Sequence, residues 1–537
     1  MVWAFFESLL SGKLAAQVVG KAKTRQLAQR QHLTITNGGE IQSLDPHKIP
    51  NALSENNVLV NLLEGLCVLD RHGETVPGVA THWEQSNAGK TWTFYLRPEA
   101  RWSNGDPVTA ADFVFSWRRL ADPKTASRLS NALVDLQLLN SFAVIHRREP
   151  VTALGIQAID DHTLQLQLTQ PHPFLIKLLA NPALSPVHRA TIERYQEQWS
   201  SPAHYVGNGA YRPKEWCVNE KLVLTRNIRY WDNAHTCIEQ VTFLPISAAA
   251  GRLRYRQGEI DVTYSSLPDD EFSQLQQEFP QEIRFFPLID VYGLVINNRM
   301  PPFHDVRVRR ALAMAIDRDI FAQQSFMRGQ TLAYSMVPDG VQGVKASKPA
   351  WATWSQERRN REAQKLLQAM GYTAQHPLEF SLLYSGTSEL NKQIMLTISS
   401  LWQKNLPVKV TLENQEWKGY LEAVQFGRYQ VARFAWSAPY NEPYSLLSNL
   451  RSHSELNTAH YRSQAFDTCL EGILQANDES LRQEAYRRAQ EQFAKDLPMI
   501  PLFHCVEFRL IKPYVGGISE RNRLLVMSIK DLYINEH

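Results

Sequence analysis

The sequence predicts an α/β fold of more than one lobe, and three observations carry that prediction. Strand-like and helix-like segments alternate along much of the chain, the rhythm of strand–helix–strand units. At 537 residues the chain exceeds what a single core holds, and the usual domain size gives about three structural units. A hydrophobic fraction of 44% with 21% charged residues is that of a globular protein, not of a disordered or fibrous one.

The elements follow in order. VWAFFESLL at the amino terminus is apolar and continues into Leu14, Ala15 and Ala16, but Glu7 interrupts it and no Lys or Arg precedes it. Secretory signals have the reverse arrangement, so residues 1–31 read either as a degraded or wrongly started export signal or as a plain amphipathic helix. The basic stretch from Lys21 to Arg30 is expected to lie outside the fold. HLTITNGGEI, His32 to Ile41, alternates and then turns at Gly38 and Gly39, which predicts a first strand before the loop at Pro46. Asn57 to Leu69 has apolar residues at helical spacing. WTFYL, Trp92 to Leu96, predicts a strand, Asn104 and Gly105 a turn, and Thr109 with Asp112 a capping box opening the helix FVFSWRRL.

HTLQLQL, His162 to Leu168, is strict period-two alternation and predicts a half-buried strand. Further strands are expected at Lys221 to Thr225 and Glu239 to Leu244. YRQGEIDVTY, Tyr255 to Tyr264, reads as a helix end, a glycine cap and a strand. Asp305 caps VRVRRALAMAI, with Val306, Ala311, Ala313 and Ile316 turned to a core. A strand at Leu378 to Tyr384, a helix at Lys392 to Lys404 and a strand at Val408 to Leu412 continue the alternation.

Composition excludes several functions. Fifty-seven basic against 54 acidic side chains give +3, too near balance for a nucleic-acid partner, and no basic stripe interleaved with aromatics occurs. No run of 18 apolar residues is present. Cys67, Cys217, Cys237, Cys469 and Cys505 form no zinc-ligand spacing; Cys217 and Cys237 either pair across a sheet after export or stay as hydrophobic thiols. The nearest two histidines, His453 and His460, are too far apart for a helical metal motif, so no metal and no cofactor is expected. HExxH and GxSxG are both missing, which lowers the enzyme reading, although scattered acids can still assemble a hydrolase in space. GNGAY, Gly207 to Tyr211, lacks the spacing of a phosphate loop and predicts a turn with positive φ at its glycines.

Two sets of residues carry a family resemblance. The run from Trp92 to Leu120, WTFYLRPEARWSNGDPVTAADFVFSWRRL, resembles the signature of the extracytoplasmic solute-binding proteins that feed peptide ABC importers, family 5. SLDPHK at Ser43, GNGAY at Gly207, PPFHDVRVRRALAMAIDR at Pro301, NQEWK at Asn414 and YNEP at Tyr440 are similar in order and spacing to its oligopeptide-binding branch, which includes murein-peptide-binding relatives. The resemblance implies a two-lobe periplasmic binding protein-like fold (type II, the large cluster C kind), with an extra domain in the first lobe and a hinge between lobes. The crossings fall near Leu288 and Val506. Residues 32–62, 187–288 and 507–537 then form the discontinuous first domain, 63–186 the inserted one, and 289–506 the second lobe.

It also implies a function: capture of a peptide or peptide-like ligand between the lobes and delivery to the transmembrane subunits of an ABC permease, by a monomeric periplasmic carrier with no catalytic residues. In this branch the strand matching Arg433 to Ala438 lines the cleft and pairs with an extended ligand. The ligand-binding positions carried over are Ala52, Asn391, Trp417, Arg433, Trp436, Ser437, Ala438, Pro439, Tyr440 and Glu442. Taken alone, Trp417, Trp436 and Tyr440 read equally as core aromatics.

Departures from the pattern matter. The acid that commonly precedes YNEP and accepts the ligand's ammonium is Pro439 here, which offers neither a carboxylate nor an N–H. Pro50 stands where an acidic residue is frequent. Phe326, Asn391 and Val424 replace basic or His anchors for the ligand's carboxylate, while Arg433 remains. The two cysteines that bridge the second lobe in relatives fall at Ile289 and Ser437. Glu442 belongs to the shared YNEP run and reads as structural before it reads as a substitute acid. The expected ligand is therefore a peptide with a modified or blocked amine, a cell-wall peptide or another small molecule. The alternatives are a sensor or chaperone-like protein that kept the fold, and an importer component for a non-peptide ligand such as haem.

Overall fold

The computed structural model describes residues 26–50, 53–264, 272–323, 329–386, 389–476 and 478–537. The amino-terminal segment 1–25, Ala52 and Phe326 lie outside the described residues. His32–Thr36 is a strand whose alternation buries Leu33 and Ile35. It pairs in parallel with Gln240–Leu244, and Lys221–Arg226 and Tyr211–Cys217 complete an antiparallel extension. Trp199, Tyr211 and Phe243 fill the core beneath.

The helix expected over Asn57 to Leu69 runs instead over Leu53–Leu62, and Cys67–Leu69 is a strand paired with Thr75–Pro77. GNGAY supplies the reason. The Gly209 N–H donates to the Leu62 carbonyl (3.0 Å) and the Asn208 side chain accepts from the Glu64 N–H (2.9 Å), so the helix loses its next ladder groups to another segment. Neither Gly207 nor Gly209 has the positive φ expected of it. Their requirement is space, since a Cβ at either would meet Leu62 backbone atoms at 2.3 and 2.5 Å.

Ala80–Ser86, Thr91–Leu96, Thr163–Gln167 and Ile156–Asp160 form a second, antiparallel sheet, in that order. The helix Ala110–Ala121 opens with the predicted capping box, in which the Thr109 N–H donates to Asp112 (2.8 Å). Phe113, Trp117 and Leu120 of this helix are buried with Trp92 and Phe94. Arg119, from its last turn, donates to both oxygens of Asp45 (3.0 and 2.6 Å) and thereby pins SLDPHK to this unit.

Two long strands, Ile283–Ile296 and Met499–Leu510, pair from Ile283 opposite Leu510 to Val295 opposite Met499. Their amino-terminal and carboxyl-terminal halves serve different cores: Ile283, Phe508 and Leu510 pack with Tyr255 and Leu275, whereas Val291, Val295 and Met499 pack with Trp436 and Phe493. The register shifts between Pro287 and Val291, next to Leu288 and Val506.

The third sheet has the order Thr331–Leu332, Met499–Leu510, Ile283–Ile296, Val431–Ser437, Leu378–Ser385, Val408–Gln415. Helices cover both faces. Val306–Met314, Gln356–Gln368 and Glu389–Asn405 pack on one, and Trp417–Gln425, Gln464–Gln475 and Glu479–Asp496 on the other. Asp305 caps its helix as predicted, but Val308, not Val306, turns to the core. The strand expected near Tyr264 is reduced to isolated bridges from Val262 to Ile35 and Ile511. All five cysteines are free, Cys217 and Cys237 included.

Candidate functional site

The parallel strands of the third sheet place their carboxyl ends on one rim. Leu378–Ser385 leads to the helix Glu389–Asn405, which packs on one face, while Val431–Ser437 leads to Tyr440, Tyr444 and Leu446 in the core of the opposite face. Neighbouring strands whose connections leave to opposite faces open a crevice between their carboxyl ends, the usual ligand site of such sheets. Asn391, Trp417 and the segment Arg433 to Pro439 all belong to this rim.

The Val431–Ser437 strand carries a half-used edge. On one side it pairs fully, from Val431 opposite Ile296 to Ser437 opposite Asp290. On the other only Val431 and Ala432 meet a neighbour, at Leu382 and Leu383. From Arg433 to Ser437 that edge has no strand partner among the described residues, and one of its carbonyls, that of Arg433, accepts the Tyr420 hydroxyl. An unpaired edge beside a crevice is a template for an extended chain.

Alternation sends Arg433, Ala435 and Ser437 to the face shared by Tyr292 and Asp290. The Arg433 guanidinium lies over the Tyr292 ring at 4.6 Å, and the Tyr292 hydroxyl donates to Asn391 Oδ1 (3.0 Å). Stacking of this kind holds a guanidinium plane in place. Arg433 Nε is buried without a hydrogen-bond partner.

Trp417 is the first residue of its helix, 45% exposed, and stacks on Tyr420. Trp436 takes the face opposite Arg433: it is 3% exposed, packs edge-on to Phe434, and its indole N–H is a buried orphan. Ser437 and Pro439 are exposed, and between them the Ala438 N–H donates to the Ile289 carbonyl (3.1 Å).

Tyr440 and Glu442 leave this group. Tyr440 packs against Phe174, which comes from the 63–186 segment and is buried in the core of the third sheet. Glu442 is 4% exposed, and its carboxylate accepts from Lys177 Nζ (2.5 Å) on one oxygen and from the Tyr486 hydroxyl (2.5 Å) on the other. Its charge is met by Lys177 in that contact. Val424 is 1% exposed and packs in the same core.

Sequence reasoning missed Tyr292 and Asp290. Asp290 is the one charged residue of PLIDVYGLVI, Pro287 to Ile296, a signal that a period-two reading of this run would have caught. The register also corrects one correspondence: the residue opposite Ser437 is Asp290, not Ile289.

The comparisons decide the family. A sequence profile described as bacterial extracellular solute-binding proteins, family 5 (middle), matches residues 74–458. The chain belongs to that family. It is 46% identical over 537 residues to the periplasmic oligopeptide-binding protein OppA of Salmonella typhimurium, covering 98% of both chains. The unliganded open form of the murein tripeptide-binding protein MppA superposes with a TM-score of 0.85 at 38% identity, over 96% of this chain and 99% of that one. Haemophilus influenzae OppA in complex with RPPGFSPFR gives 0.77 at 38% identity, over 95% of this chain and 100% of that one. The fold is accordingly the two-lobe α/β architecture of these binding proteins. No helix among the described residues is long and apolar enough to cross a membrane.

Proposed function

We propose that this chain is the periplasmic receptor of an ABC importer, a monomer that captures an extended peptide or peptide-like ligand between two lobes and hands it unaltered to the permease. The observation that carries this reading is the Arg433–Ser437 edge, open on one side at the rim of the crevice and flanked by a stacked guanidinium. Main-chain hydrogen bonds along such an edge give affinity independent of ligand sequence, and Arg433 offers a bidentate partner to a ligand carboxylate. Asn391, Trp417, Ser437, Ala438 and Pro439 bound the same space.

Residues 32–62, 187–288 and 507–537 make the first domain in this reading, 63–186 the inserted one and 289–506 the second lobe. The irregular pairing between Pro287 and Val291 serves as the hinge. The higher similarity to an unliganded open relative, 0.85 against 0.77 at equal identity, supports lobes standing apart. A ligand touching both lobes then favours closure, because the open state lacks half of those contacts.

Thermal-shift measurement with peptide pools tests the proposal. A ligand at 100 times its dissociation constant stabilises the folded chain by about 2.7 kcal/mol. Recovery of the ligand intact by mass spectrometry separates carriage from hydrolysis. No shift with free, N-blocked or murein peptides, or new peptide termini after incubation, would overturn it.

A further inference from the structure

Asp290 lies at the same rim and is not among the ligand-binding positions carried over from the family. Resting on the peptide-site reading, we propose that Asp290 holds the ligand's terminal ammonium, in place of the acid absent at position 439. Its Cα is in register with Ser437, two residues before Pro439. The Ser437 hydroxyl and the Ala438 N–H, the latter bonded to the Ile289 carbonyl, lie beside the carboxylate and draw its carboxyl down. Burial pushes its carboxyl up to about 6, and no cation among the described residues brings it back down. An acid so placed is destabilising until a positive charge reaches it.

The rest of the rim gives that charge a direction. Cys505, on the strand that flanks Asp290 on the side away from Arg433, feels both charges, its thiol pushed up by burial first, then raised by the acid and lowered by the guanidinium. Arg433 and Ser437 are four strand residues apart, about 13 Å at the usual rise per residue. With the reach of the two side chains, that is the length of an extended chain of three or four residues. An acid at one end, a guanidinium at the other and an unpaired edge between them match a short zwitterionic peptide. The position also explains how an acid can serve here without disturbing YNEP: it comes from the neighbouring strand, across one ladder step.

Isothermal titration of the full chain with trialanine, tetra-alanine and their N-acetyl forms tests this. The parent should prefer the free-amine forms by at least about tenfold. Asp290→Asn should lose about 10- to 100-fold for the free-amine forms and keep its affinity for the acetylated ones. Adding Pro439→Asp to Asp290→Asn should restore the loss, because the second carboxylate enters the same end of the site. A parent that prefers acetylated peptides, or an Asp290→Asn variant that binds both forms as the parent does, overturns the role of Asp290 while the peptide-site reading stands. If the parent binds neither form, both fall together. Should Asp290→Asn fail to fold, the parent's own preference between free and acetylated probes decides.

Discussion

Replacing Lys177 with Met probes the contact that ties the 63–186 segment to the third sheet. Lys177 Nζ donates to Glu442 (2.5 Å) and to the Asn441 carbonyl (2.9 Å), and the side chains of the ion pair are 24% and 6% exposed. Removing one partner of a fully buried pair costs about 3–5 kcal/mol, because the other charge stays desolvated. Lys177 keeps a quarter of its surface in water and Tyr486 still donates to Glu442, so about 2–3 kcal/mol is expected here. Glu442→Gln in the same chain should return about half of it, since the amide has no charge to strand. The chain has several cores, and this contact belongs to one of them. Hydrogen exchange read over Tyr440–Leu447 reports the local opening, and Lys177→Met should speed it by about 30- to 140-fold. Exchange at the parent's rate in Lys177→Met, or equal rates in the single and double variants, would refute the claim that this pair holds the contact.

Two further outcomes are expected. Gly209→Ala places a Cβ 2.5 Å from the Leu62 carbonyl carbon and 2.7 Å from the Leu63 nitrogen, so scanning calorimetry should show a loss of about 1–3 kcal/mol; an unchanged melting temperature would remove the close-approach argument. His504 is buried, and desolvation, with a smaller push from Arg523, holds it down to about 4 against the ordinary 6.5, although Ser335 and Asp339 pull upward. The unfolded chain therefore binds the extra proton between those values, and stability falls as pH drops from 6.5 towards 4. By pH 5 the His504 contribution lost is about 2 kcal/mol. His504→Gln, which keeps a donor for the Ser335 carbonyl, should lose less than the parent between pH 7 and pH 5 in urea titrations; parallel losses would contradict this sign.

Much of the architecture was legible in local pattern. HLTIT, WTFYL and HTLQLQL fold as strands because alternation places one side chain in two against a core whatever the partner strand. Thr109 and Asp305 open helices because a cap acts on backbone only two or three residues away. Misreadings arose where a distant segment intervened: Asn208 and Gly209 end the first helix at Leu62, and Tyr264 lacks a ladder because Val262 only bridges two other elements. At the site, the sequence marked Arg433, the loss at Pro439 and a structural Glu442, but it gave Asp290 no assignment, because its place opposite Ser437 depends on register.

The sequence by itself determined the type of most elements it marked and the caps at Thr109 and Asp305, since these depend on residues within a turn of one another. It also carried enough similarity to indicate the family. Only the tertiary structure decided which edge of Val431–Ser437 stays open, that Asp290 faces Ser437, and that Lys177 neutralises Glu442 from 265 residues away. Register and long-range charge pairing are set by how separate segments pack, and no local spacing encodes them.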